Sequence, residues 1–306
     1  MSQTILFFGN ERLATSVTTT APVLQALLAA DYKVVAVVVA QADSGASRHA
    51  RPLEVAELAA RHGIPVLAPA SLDSAELANF GADAAVLVAY GKLVLVDIIS
   101  LFPHGIINIH PSLLPKHRGS TPIESVILRG ETETGVSLMA LDKSMDSGAV
   151  YAQQKVTLSG TETKQALADQ LSQVGAELLV KHLPAILNGK LIPTPQDETQ
   201  ATYDEKIAPA DGQLDWQKPA VMLEREIRAY LGWPRSRTTL FGKDVVITKA
   251  NARPNDGDSA DEAGREWIQG QELGVHTTKG TLIIGSLIPT AKPEMTASAF
   301  LAGYRN

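Results

Sequence analysis

Short apolar runs rich in valine and isoleucine alternate with helix-like stretches over the first part of the chain. Such runs predict buried strands, and apolar residues at helical spacing predict helices between them. The predicted strands are 5–8, 34–39, 65–67, 84–88 and 106–109, and the predicted helices are 23–30 and 53–61. This alternation is typical of a mostly parallel, Rossmann-like sheet with helices on both faces, which places the chain in the α/β class.

The pattern changes in the second half of the chain. A helix at 121–128, strands at 135–141 and 150–156, and a long helix at 164–187 continue the first domain, which we predict to span 1–188. Residues 189–205 are polar and are interpreted as a linker. Beyond them, short strands separated by Gly and Pro predict a small, OB-like β-barrel domain at 206–306.

Composition excludes several kinds of chemistry. The 306 residues contain no cysteine, so disulfides, thiolate–zinc sites and a cysteine nucleophile are ruled out. No apolar run reaches the roughly 18 residues of a membrane span, and the first residues do not resemble a signal peptide. The net charge of −6 argues against unspecific binding to nucleic acid, although residues from Lys206 onwards hold 13 Lys and Arg against 12 Asp and Glu.

Motifs of common nucleotide and hydrolase sites are missing. The first strand is followed by "FFGNERLA" with a single glycine, which argues against a nicotinamide or flavin site. The chain also has neither a phosphate-binding G-x-x-x-x-G-K-[ST] loop nor a G-x-S-x-G elbow. Its histidines show no H-x-x-x-H spacing, and we expect no metal.

The segment "GIINIHPSLLPKHRG" concentrates polar residues where a buried strand ends. Asn108 and His110 are two residues apart on that strand and therefore share a face. An amide beside an imidazole suits oxyanion stabilisation and proton transfer, although either residue alone could be a satisfied polar group at a strand end. Further along, Asp146 is interpreted either as an Asx-turn residue or as a carboxylate that faces His110.

Two long motifs point to one family. "INIHPSLLPKHRGSTPIESVILRG" and "ETGVSLMALDKSMDSGAVY" together resemble the 10-formyltetrahydrofolate-dependent formyltransferases. The resemblance implies that Asn108, His110 and Asp146 are catalytic and that 10-formyltetrahydrofolate is the formyl donor. It also implies folate contacts from Ser112, Leu113, Leu114, Pro115, Val88, Tyr90, Gly91 and Asp142. We interpret the two prolines as stiffening a turn that presents backbone groups to the pterin, and Arg118 as closing this turn through carbonyl bonds.

The second domain narrows the expectation. "DGQLDWQKPAVMLEREIRAYLGWPRSRTTLFGKDVVITKA" and "KPEMTASAFLAGYR" resemble the C-terminal domain of members that formylate initiator methionyl-tRNA. This resemblance implies a monomeric cytoplasmic enzyme of translation initiation without membrane partners. The basic residues expected to contact tRNA are Arg48, Arg51, Lys206, Arg235, Arg237, Lys243 and Lys249.

Departures from the family pattern and rival functions remain. "GNERLATSVTTTA" replaces the usual "GTPEFA", and the loop "QADSGASRHARP" is shorter and less basic than usual, which leaves the mode of tRNA recognition open. The alternatives are a formyltransferase that acts on an amino sugar nucleotide, a formyltetrahydrofolate hydrolase, and an RNA-binding barrel protein with an inactive first domain. The presence of Asn108, His110 and Asp146 argues against the last alternative.

Overall fold

The computed structural model describes residues 3–40, 53–254 and 262–304. The chain divides into two compact units, and each unit contains one main sheet. The first unit comprises Met1–Ile123, Glu133–Leu158 and Gln165–Glu205, and the second comprises Glu124–Thr132, Ser159–Lys164 and Lys206–Asn306.

A seven-stranded sheet forms the centre of the first unit. Its strands are β1 (Thr4–Gly9), β2 (Lys33–Val38), β3 (Val66–Leu67), β4 (Ala84–Val88), β5 (Ile106–His110), β7 (Glu133–Ala140) and β8 (Val150–Thr157). Their order is β3-β2-β1-β4-β5-β7-β8, and the first five are parallel. The last two pair antiparallel, so the expectation of a mostly parallel sheet is confirmed.

Helices connect these strands. They are α1 (Pro22–Ala29), α2 (Glu54–Arg61), α3 (Ser74–Ala78), α4 (Val96–Ile99), α5 (Pro122–Arg129) and α6 (Lys164–Leu187). Every residue of β4 and β5 is buried, as expected for central strands covered on both faces. No helix in the described ranges is both long and apolar enough to cross a membrane.

The end of β1 approaches β4 closely. Gly9 has a φ of +118°, and a Cβ there would overlap the carbonyl oxygen of Val88, so only glycine fits. Just beyond, the buried carboxyl of Glu11 accepts hydrogen bonds from the N–H groups of Val23 and Leu24 at 2.8 and 2.9 Å. Burial outweighs these bonds and raises the pKa of Glu11 to about 7.

Residues 189–205 are not the linker expected from their polarity. Within this segment β9 (Tyr203–Asp204) pairs in parallel with β6 (Arg118–Gly119), which follows the proposed catalytic strand β5. The segment packs as part of the first unit. Polar composition was misleading because most of these side chains do face solvent, while backbone pairing and a few side chains, among them Gln196 and Asp204, fasten the segment to the rest of the unit.

The second unit is built on an antiparallel sheet, which confirms the expected change of fold class. Its strands are β10 (Ser236–Leu240), β11 (Lys243–Arg253), β12 (Glu266–Gln269), β13 (Glu272–His276), β14 (Thr281–Pro289) and β15 (Met295–Thr296). The helices α7 (Ala220–Ala229) and α8 (Ala297–Tyr304) accompany it. Leu223, Ile227 and Phe300 from these helices are buried in one cluster with the inward side chains of the strands.

Candidate active site

Strand β5 carries two polar residues into the interior of the first unit. Asn108 and His110 are only 6% and 5% exposed, and the strand lies between β4 and β7. Because side chains alternate along a strand, both project from the same face. A buried amide and imidazole on one face need polar partners, and these partners define the site.

The ring of His110 has an acceptor near each nitrogen. Nε2 lies 2.9 Å from the carbonyl oxygen of His117, and a carbonyl can only accept, so Nε2 carries the hydrogen. In the neutral ring Nδ1 therefore holds the lone pair. Nδ1 faces Oδ1 of Asp146 at 3.7 Å, which is longer than a hydrogen bond but close enough to stabilise an added proton.

Asp146 reaches this position through a loop that folds back along the sheet. Strand β7 runs antiparallel to β5, and the N–H of Leu141 donates to the carbonyl of Ile106, at the far end of β5 from His110. The loop returns from there, and Oδ2 of Asp146 accepts a hydrogen bond of 2.8 Å from the N–H of Gly119. Asp146 has a φ of +50°, in the left-handed region that few residues other than glycine adopt. The structure therefore brings together the three residues that the sequence selected.

The side-chain amide of Asn108 has no hydrogen-bond partner recorded among the described residues, although the residue is almost fully buried. The amide atoms keep some contact with solvent, because the fully buried unpaired polar atoms of the described structure belong to other residues. Such a group is suited to donate to a ligand at the strand end.

Side chains from β7 and β8 bond to the backbone of the turn after β5. The hydroxyl of Ser137 on β7 donates to the carbonyl of Ser112 at 2.6 Å and accepts from the N–H of Leu114 at 3.1 Å. Gln153 on β8 donates to the carbonyl of Leu114 at 2.8 Å, and the hydroxyl of Ser112 donates to the carbonyl of Lys116 at 2.7 Å. Most of these backbone groups therefore already have one partner within the protein, and a carbonyl can still accept a second bond, so the expected contact with a pterin stays a prediction.

Side chains of the expected folate residues differ in exposure. Ser112, Leu114, Val88 and Tyr90 are buried, and the Tyr90 ring contacts Phe8 edge-on with centroids 5.4 Å apart. These four side chains present little surface to a ligand.

The other expected folate residues reach the surface. Leu113 and Pro115 are half-buried, and Gly91 is exposed with a φ of +75°. Asp142 is exposed and accepts from the N–H of Lys143 at 2.6 Å, in the part of the loop that leaves the far end of β5. Asp142 has no recorded contact with the His110–Asp146 pair in the described structure.

Arg118 does not close the turn by bonding carbonyls, in contrast to the expectation. Its guanidinium is fully buried and donates to Gln196 Oε1, to both carboxylate oxygens of Glu198 and to the hydroxyl of Tyr203, at 2.7–3.1 Å. These contacts occupy all five N–H donors and raise the pKa of Arg118 further. No donor of Arg118 is left for a substrate.

The basic residues expected to bind tRNA lie at the surface where they are described. Exposed positions are occupied by Lys206, Arg235, Arg237, Lys243 and Lys249. Arg237 projects from the outer face of β10 and donates to the carbonyl of Pro209. Arg48 and Arg51 lie outside the described residues. No group of side chains suited to hold a metal ion occurs in the described ranges.

Comparison with known proteins agrees with this geometry. Residues 12–183 match the formyl transferase family, and residues 206–305 match the formyl transferase C-terminal domain. The chain belongs to the formyl transferase family. The first match includes Asn108, His110 and Asp146, whereas residues 184–205 lie between the two matched regions.

Relatives and a solved structure of similar fold extend the comparison. A methionyl-tRNA formyltransferase of Chloroflexus aurantiacus is 39% identical over 309 residues, which cover 98% of this chain and 96% of the relative. That of Myxococcus xanthus is 39% identical, with 82% of this chain and 81% of the relative covered. An N-formyltransferase of Helicobacter canadensis solved with folinic acid and dTDP-3-aminofucose shares the fold, with a TM-score of 0.68, 19% identity, and 93% and 98% coverage of the two chains.

Several residues that build the site were not selected from the sequence. Ser137 and Gln153 hold the turn, and Gln196 donates to the carbonyls of Asp146 and Gly148 at 2.8 Å each. A serine inside the apolar run of β7 is a signal that could have been used, since buried polar residues need partners. Gln196 lies in a uniformly polar stretch that offers no such signal.

Proposed function

We propose that this protein transfers the formyl group of 10-formyltetrahydrofolate to the amino group of initiator methionyl-tRNA. The observation that carries the proposal is the arrangement on β5: the unpaired amide of Asn108 beside His110, whose Nδ1 faces Asp146 at 3.7 Å. Family membership limits the chemistry to formyl transfer, and full-length relatives named methionyl-tRNA formyltransferase support the acceptor.

The reaction requires the site to stabilise an oxyanion, to take a proton from the attacking amine and to protonate N10 of the folate. The neutral amine attacks the formyl carbon, which gives a tetrahedral intermediate with an oxyanion and a protonated amine. Asn108 donates a hydrogen bond to the oxyanion, a contribution of about 3 kcal/mol. The amine loses a proton, the bond from the carbon to N10 breaks, and N10 gains a proton, so formyl and one proton exchange places.

His110 is suited to move that proton. Its Nε2–H is committed to the carbonyl of His117, which leaves Nδ1 as the basic nitrogen. The carboxylate of Asp146 lies beside Nδ1 and stabilises the imidazolium that forms when Nδ1 takes the proton. The amide of Gly119 holds the carboxylate in this orientation.

The partners and location follow from this function. We expect folate to lie at the carboxyl edge of the sheet, near Asn108 and the turn that starts at Ser112. The exposed basic residues of the second unit are proposed to contact tRNA phosphates, with Arg48 and Arg51 contributing from the first. A monomer in the cytoplasm is expected for an enzyme that formylates initiator tRNA before initiation.

The experiment is a formylation assay with three acceptors. The full chain is incubated with 10-formyltetrahydrofolate and either methionyl initiator tRNA, a dTDP-linked amino sugar, or buffer alone, and N-formylmethionine, formyl sugar and free formate are measured. We expect N-formylmethionine at turnover rates at least 100-fold above both other products. A predominant formyl sugar or formate product would replace the proposal with the sugar transferase or the hydrolase, respectively.

A further inference from the structure

We propose that the segment from Gln196 to Asp204 is a positioning element for the His110–Asp146 pair, with Gln196 as its principal residue. This inference rests on the proposed function, because the pair matters through the proton transfer of formyl transfer. The segment lies outside both matched family regions, so its role is not implied by the family match.

Gln196 holds the backbone of the loop that carries Asp146. Its Nε2 donates to the carbonyl oxygens of Asp146 and Gly148, each at 2.8 Å, while Oε1 accepts from Nε and Nη2 of Arg118. Both hydrogens of the amide and its oxygen are therefore used. Since Asp146 adopts an unfavourable backbone conformation with φ +50°, an external restraint on its carbonyl helps to keep the carboxylate in place.

Asp204 restrains His117, whose carbonyl oxygen is the partner of Nε2 of His110. Its Oδ2 accepts a hydrogen bond of 2.9 Å from Nδ1 of His117, and both side chains are buried. The N–H of His117 donates to the hydroxyl of Thr202 at 2.8 Å, and the N–H of Arg118 donates to the carbonyl of Thr202 at 2.9 Å. The His117 carbonyl that accepts from His110 is thus held by residues of the same segment.

One segment therefore fixes the partners of both nitrogens of His110. Gln196 acts on the Nδ1 side through Asp146, and Asp204 acts on the Nε2 side through His117. Displacement of either partner changes the orientation of the imidazole towards the substrate, and errors near 1 Å reduce rates by up to about 100-fold. Neither residue needs to touch the substrate for this effect.

Gln196→Glu is the most selective variant. The glutamate keeps an oxygen that accepts from Arg118. Its second carboxylate oxygen replaces the NH₂ group, so it cannot donate to the carbonyls of Asp146 and Gly148 and repels them. We expect kcat to fall about 10- to 100-fold, with the KM for 10-formyltetrahydrofolate within twofold of wild type. Gln200→Ala is the control, because the exposed Gln200 amide has Asp197 as its recorded partner among the described residues and makes no recorded bond to the Asp146 loop or to His117, and its kcat should be unchanged.

Asp204 provides a second pair of variants. Asp204→Asn retains an oxygen that accepts from His117 and should keep at least a third of the wild-type kcat. Asp204→Ala removes the acceptor and should lower kcat at least tenfold. Rescue by the conservative variant distinguishes positioning from a requirement for the charge.

A second readout does not depend on activity. The Gly119 amide donates to Asp146, so its hydrogen exchange, measured by NMR, should accelerate at least tenfold in Gln196→Glu while core amides of β4 and β5 stay protected. Wild-type kcat together with wild-type Gly119 exchange would overturn the inference, as would uniformly faster exchange across the sheet. If the wild-type protein formylates no tRNA, the proposed function fails, and Gly119 exchange still decides whether Gln196 positions Asp146.

Discussion

Replacement of Asn108 by alanine should separate activity from stability. Asn108 is 6% exposed and its side chain makes no recorded hydrogen bond in the described structure, so its removal breaks no recorded hydrogen bond. If the amide stabilises the oxyanion, its loss costs about 3 kcal/mol of transition-state stabilisation, which corresponds to a kcat about 100-fold lower. The free energy of unfolding should fall by about 1 kcal/mol or less, because the substitution removes the packing of a few atoms but no recorded hydrogen bond.

Ser137→Ala provides the contrasting variant. The Ser137 hydroxyl is fully buried as well, but it bonds to the carbonyl of Ser112, the N–H of Leu114 and the side chain of Gln153. At about 1 kcal/mol for each hydrogen bond, its loss should lower the free energy of unfolding by about 2–3 kcal/mol.

Two measurements test this pair of variants. Single-turnover formylation of methionyl-tRNA measures the chemical step, and urea denaturation measures stability. A kcat within threefold of wild type in soluble Asn108→Ala would refute the assignment of the amide to the oxyanion. A loss of stability as large as that of Ser137→Ala would refute the claim that the amide is unpaired.

Three further predictions concern other parts of the protein. Burial raises the pKa of Glu11 to about 7, so as the pH rises from about 4.5 the carboxyl ionises first in the unfolded state. The free energy of unfolding should therefore fall by up to about 3 kcal/mol by pH 7 and then level off. Urea denaturation of Glu11→Gln should lack this fall, and parallel pH profiles of the variant and the wild type would contradict the prediction. A Cβ at Gly135 would overlap the carbonyl oxygen of Gln154 and the side chain of Leu113, so Gly135→Ala should lower the free energy of unfolding by about 1–3 kcal/mol. An unchanged midpoint of urea denaturation would show that the strands can separate at little cost. Joint replacement of Arg237 and Lys243 by alanine should raise the KM for tRNA, leave that for folate unchanged, and reduce the slope of log affinity against log salt by about 0.7–0.9 for each lost phosphate contact; an unchanged slope would place the tRNA site elsewhere.

Most of the first sheet could be predicted because its signal is local. Strands β4 and β5 are buried on both faces, and β4 is continuously apolar while β5 is apolar apart from Asn108 and His110. The predicted 84–88 and 106–109 match the observed Ala84–Val88 and Ile106–His110. The short helices α3 and α4 were not predicted, since four or five residues are too few to show a helical period. The segment 189–205 was misinterpreted because an exposed polar stretch that is paired along the surface of one unit has the same composition as a linker.

The placement of the two candidate residues on one face of β5 follows from the sequence alone. Side chains alternate along any strand, so Asn108 and His110 had to lie on one side of it, whatever the rest of the chain does. The absence of cysteine likewise limited the nucleophiles and ligands without any structural information. These conclusions are local, or concern composition, and need no knowledge of long-range contacts.

The surroundings of that face, in contrast, depend on long-range contacts that the fold creates. Asp146 is 36 residues from His110 along the chain. Because β7 ends beside the start of β5, away from His110, the strand order alone does not show that the following loop returns to His110. The same is true of Gln196 and Asp204, whose partners are 50 and 87 residues away. No periodicity encodes such contacts, because they depend on strand order, on register and on which buried polar groups remain to be paired once the sheet has formed.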